Sequence, residues 1–85
     1  MPEATWKPYH GEHTTSERAE LPESVFAFPK QRKEPMLDAA HVRNALARFD
    51  RVEDVSEADR TLARANLRRA AKHFGIAYDE ERLKD

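Results

Sequence analysis

The chain has 85 residues, no cysteine and a formal net charge of −1, with 36% of its residues charged and 39% hydrophobic. That length allows one domain and no more, with a core supplying stability of roughly 3–5 kcal/mol. The missing thiols exclude disulfide staples and thiolate metal sites. No apolar run approaches the roughly 20 residues of a membrane span, and the N-terminus has no signal-peptide pattern, so a cytoplasmic protein away from membranes is expected.

The small net charge conceals a segregation. Residues 1–24 carry Lys7 and Arg18 against five glutamates, residues 25–77 carry a basic surplus, and residues 78–85 are acidic again. The expected organisation follows: a flexible acidic arm over 1–20, a compact helical domain over 21–77 and an acidic tail over 78–85. The arm is rich in Pro, Gly, Thr, Glu and His, without apolar periodicity. Its only tryptophan, Trp6, is expected to be exposed to water.

Pro22 and Pro29 bound an extended run, Val25-Phe26-Ala27-Phe28, because each proline lacks an N–H and restrains the residue before it. Phe26 and Phe28 then share one side and need an apolar partner. The next signal is Asp38, an N-cap for a helix reaching about Phe49, with Leu37 and Val42 placed as a hydrophobic staple. Val42, Ala45, Leu46 and Phe49 give that helix an apolar stripe. Ser56, with Asp59 three residues on, opens a second helix from Glu57 to Phe74. Ala63, Leu67, Ala70 and Phe74 form its buried face, and Gly75 followed by Ile76 supplies a glycine stop. The fold expected is mostly α: a helical hairpin with the aromatic segment laid across it and a disordered N-terminal arm. Small side chains at Ala39, Ala45, Ala63 and Ala70 would let the helices approach, while Ala40, Ala47 and Ala65 would stay outside.

The segment from Leu21 to Ile76 resembles a family of small, largely uncharacterised bacterial proteins, notably actinobacterial. Related segments form a terminal module on phage head-maturation proteins. The resemblance is carried by Leu21-Pro22, Ser24, Phe26-Ala27, Arg32-Lys33-Glu34-Pro35, His41 to Ala45 and Ala47-Arg48-Phe49. It implies a compact helical domain and brings no activity, so no catalytic residue is carried over.

Chemistry has few footholds. His10, Glu12 and His13 lie close together, but a zinc site needs three or four fixed ligands, and an arm containing proline and glycine is a poor helix. No serine or cysteine stands in a nucleophile setting, and two glycines cannot form a phosphate loop. No enzyme, cofactor or metal is therefore expected.

Two polar faces are left over. His41, Asn44 and Arg48 stand at i, i+3 and i+7 of the first helix, opposite its apolar stripe. They form either a contact surface for a partner or phosphate, or a local support in which His41 bonds Asp38 or Glu34; the local reading is preferred. On the second helix Arg64, Arg68 and Lys72 make one line, with Arg69 beside it and Arg60 near its border. With Lys30, Arg32 and Lys33 this line could meet phosphates in a salt-dependent way. It lacks interleaved aromatics for stacking, and the connection between the helices is too long for a helix-turn-helix. The function expected is a small non-catalytic interaction or accessory module with a protein partner, phage-related by resemblance. The alternative is a weak, non-specific nucleic-acid binder.

Overall fold

The computed structural model describes residues 3–9 and 21–84. A 3₁₀ turn at Glu23–Val25 leads into β1 (Phe26–Phe28), then β2 (Lys33–Pro35), α1 (Ala39–Arg48), a second 3₁₀ turn at Phe49–Arg51, and α2 (Glu57–Phe74). The strands pair antiparallel, Phe26 opposite Pro35 and Phe28 opposite Lys33. The Met36 N–H extends the ladder to the Val25 carbonyl at 2.8 Å. The connecting turn closes where the Arg32 N–H reaches the Pro29 carbonyl at 3.2 Å. Arg32 and, within β2, Glu34 take left-handed φ values of 56° and 58°, a conformation costing a non-glycine residue roughly 1–2 kcal/mol.

The architecture is thus mixed α/β, two helices with a two-stranded sheet, and not the expected helical hairpin. The aromatic segment does lie on the helices, but as a strand with a partner. Lys33-Glu34-Pro35 carries no strand pattern of its own and is recruited by pairing. The most extensive contacts of α2 are with β1, while α1 packs against both α2 and β2.

The helix ends follow the sequence closely. Asp38 caps α1, its carboxylate accepting the His41 N–H at 2.8 Å. Ser56 and Asp59 form a complete capping box at the start of α2, with bonds of 3.1 and 3.0 Å. At its end the Ile76 N–H returns to the Ala71 carbonyl at 2.8 Å, and Gly75 has φ of 68°, the Schellman pattern. Space around Gly75 is open, so the backbone conformation, not crowding, asks for glycine. The proposed staple is not made as expected, because Leu37 and Val42 fall in separate clusters.

The main core gathers Trp6, Phe28, Met36, Phe49, Leu67 and Leu83 with alanines of both helices. A smaller cluster holds Leu21, Val25, Phe26 and Leu37. The two rings of β1 therefore serve different clusters. Trp6 is only 1% exposed and Leu83 is 0% exposed, so the packed unit reaches beyond the expected 21–77 boundaries at both ends. The expectation of a water-exposed Trp6 is overturned: its indole Nε1 donates to the Met36 carbonyl at 3.2 Å, and its ring meets Phe74 edge-on at 5.9 Å. Ala65, expected outside, is also buried. Residues 10–20, with His10, Glu12 and His13, lie outside the described residues.

Candidate interaction surface

The basic line of α2 is largely engaged by the chain itself. Arg68 donates through Nη1 to the Leu83 carbonyl, and Arg69 through Nη1 to the Ala4 carbonyl at 3.1 Å. Arg64 reaches Thr61 Oγ1 at 3.1 Å, and its Nε is buried. Arg60 spans the Phe49 and Val52 carbonyls at 3.1 and 2.6 Å, closing the end of the turn after α1. Lys72 alone among these cations is exposed without a hydrogen bond or ion pair to the described residues. The segments at the two ends of the packed unit take up the guanidinium groups of Arg68 and Arg69.

Asn66 explains how the N-terminal segment is held. It is fully buried on the apolar side of α2. Its Oδ1 accepts the backbone N–H groups of Thr5 and Trp6 at 2.7 and 2.8 Å, and its Nδ2 donates to the Ala27 carbonyl at 3.0 Å and to Thr5 Oγ1 at 3.2 Å. One amide thereby joins α2, β1 and the Trp6 segment. Sequence reasoning passed over it. The available signal was an asparagine on the stripe of Ala63, Leu67 and Ala70, since a polar group buried there must find partners.

The outward face of α1 has a different fate. Lys33, Glu34 and Pro35 of β2 line a groove of about 270 Å³ with His41, Asn44 and Arg48 of α1. A shallower hollow continues it past Lys33, Glu34 and Arg48 to Arg51 and Val52. The structure thus brings four of the sequence candidates, Lys33, His41, Asn44 and Arg48, to one place and adds Arg51. Lys33 Nζ donates to the Glu53 carbonyl at 2.8 Å, which fixes its ammonium in the groove wall. His41 Nδ1 lies 2.8 Å from Asp38 Oδ1, the local support anticipated for it. Arg48 and Arg51 are exposed and bond to none of the described residues.

The remaining candidates separate from this groove. Arg32 donates to the Leu21 carbonyl and lies over the Phe26 ring at 4.8 Å, so its role is in the small cluster. Lys30 is exposed on the turn between the strands. Nearby, Asp59 is held below the ordinary carboxylate range, first by the Ser56 N–H and then by the Gln31 amide, against an opposing effect of burial. Among the described residues no three His, Asp or Glu side chains gather as a metal ion would require. No helix among them is long and apolar enough to cross a membrane.

A family of unknown function, DUF6582, matches residues 6–81. The chain belongs to that family. The match begins at Trp6 and includes part of the C-terminal turn, in keeping with the extent of the packed core. No curated protein and no solved structure matches the chain.

Proposed function

We propose that this DUF6582 domain is a small non-catalytic interaction module whose contact surface is the groove between α1 and β2. One observation carries the reading: side chains from two separate elements, Lys33, His41, Asn44 and Arg48, converge on a single concave surface. The fold engages Arg64, Arg68 and Arg69 of α2 in its own hydrogen bonds, which weakens the nucleic-acid alternative at its principal surface. A bound partner protein is the reading best suited to a groove with both donors and acceptors on its walls. From the resemblance of Leu21–Ile76 to phage head-maturation modules, we infer a role for that contact in particle assembly.

Selection from an unbiased displayed peptide library tests the proposal. Enriched peptides should bind the parent domain, lose binding to Asn44→Ala/Arg48→Glu and keep it with Lys72→Glu. Loss with Lys72→Glu alone would move the surface to α2. Failure to enrich any sequence over an unrelated protein would remove the reading.

A further inference from the structure

Resting on that reading of the groove, we infer that its ligand is an acidic peptide segment, held through its carboxylates by Lys33, Arg48 and Arg51. The distribution of arginine partners is the first ground. Arg32, Arg60, Arg64, Arg68, Arg69 and Arg82 each donate to an oxygen of the chain. Arg43, Arg48 and Arg51 donate to none among the described residues. All three belong to α1 and the turn that follows it, and two of them line the groove. Guanidinium groups recognise carboxylates in paired, charge-assisted hydrogen bonds. Lys33, already fixed by Glu53, has two N–H donors left for the opposite wall.

The second ground is the mixture of groups in the groove. Glu34 lines both hollows together with Lys33 and Arg48. An ionised carboxylate only accepts hydrogen bonds. A phosphodiester backbone also offers only acceptors and a charge of the same sign, so Glu34 opposes it. A peptide brings carboxylates for the cations and N–H groups for Glu34 and the Asn44 amide. Val52 and Pro35 add apolar lining at the two ends for aliphatic side chains. Strand addition is not the mode: Pro35 has no N–H and Glu34 is left-handed, which blunts β2 as an edge.

Exposed charge pairs contribute little individually and are screened by salt, so binding is weak and is read best by amide NMR on the ¹⁵N-labelled full chain. The probes are a capped peptide Gly-Glu-Glu-Leu-Glu-Gly, its counterpart with glutamine in place of each glutamate, and a short DNA duplex. The acidic peptide should shift amides around Lys33–Glu34 and Asn44–Val52 at low salt, and the shifts should collapse at roughly 0.3 M salt. They should vanish in Arg48→Glu/Arg51→Glu, with the rest of that spectrum overlaying the parent, and persist in Lys72→Glu. Equal shifts with the glutamine peptide would overturn carboxylate recognition while leaving the groove as a contact surface. Shifts of the same amides by the duplex at lower concentration would overturn it in favour of a polyanion site. Absence of groove shifts with either peptide would also overturn it, and the library selection separately decides whether the groove is a contact surface.

Discussion

On α2, Arg60, Arg64, Arg68 and Arg69 reach back to the Phe49 and Val52 carbonyls, Thr61, Leu83 and Ala4. On α1 and the turn after it, Arg43, Arg48 and Arg51 reach none of the described residues. Both helices show outward basic side chains at helical spacing, and α2 has the longer line. The difference comes from what crosses each face. The Trp6 segment and the Leu83 turn bring carbonyl groups to α2, while the outer face of α1 meets β2 across an open groove. Helical periodicity tells which side a cation occupies. It cannot tell whether a distant piece of backbone will meet it there.

The largest test of this contrast removes a segment from α2. Trp6→Ala should be destabilising by about 3–5 kcal/mol, as for other buried aromatic truncations, which for a core this small leaves the protein largely unfolded. Thermal melting by circular dichroism reads this, and the parent should show the blue-shifted emission of a buried indole. A mutant melting within a degree or two of the parent would detach the N-terminal segment from the core.

Asn66→Ala acts on the same contact by removing the partners of the Thr5 and Trp6 N–H groups and of the Ala27 carbonyl. Leaving the buried Trp6 N–H and Ala27 carbonyl unsatisfied costs about 1–3 kcal/mol each. Denaturant melts should show a large loss with Asn66→Ala. Faster amide exchange at Thr5 and Trp6 would identify its origin. Arg60→Ala comes next, at about 1–2 kcal/mol for hydrogen bonds from a charged donor at a partly exposed site. An unchanged melting curve would mean that the turn after α1 closes without it.

A smaller effect is expected at the start of α2. The carboxylate of Asp59 titrates below its ordinary value of 3.8 because the Ser56 N–H and the Gln31 amide favour its ionised form. A depressed folded value means these bonds stabilise fully above the unfolded value, and their contribution is lost as pH falls through the folded one. Melting midpoints measured through the acid range should therefore decline less steeply for Asp59→Asn than for the parent. Parallel acid limbs would contradict the assignment.

The sequence was most informative where structure is local. Asp38, Ser56 with Asp59, and Gly75 mark helix ends through bonds within a few residues, and the bounds of α2 match the reading at both ends. It was least informative where partners are far apart. Trp6 is bonded by a side chain 60 positions away, in a segment whose own residues show no periodicity. Leu83 is a single apolar residue among charges, buried because the turn from Asp79 folds it inward. β2 has the composition of a loop and becomes a strand through β1. For the candidate surface, helical spacing placed His41, Asn44 and Arg48 on one face, but only the β-hairpin brings Lys33 and Glu34 opposite them.

That α2 spends its arginines on the fold, while Arg48 and Arg51 bond to none of the described residues, is tested most directly by melting two double variants side by side. Arg68→Ala/Arg69→Ala removes donors to the Leu83 and Ala4 carbonyls, and its midpoint should fall by roughly 4–8 °C for each kcal/mol lost in a domain of this size. Arg48→Ala/Arg51→Ala should stay close to the parent, since surface substitutions away from structural contacts change stability by only about 0.5 kcal/mol in either direction. Equal midpoints for the two variants, or a larger fall for the α1 pair, would contradict it.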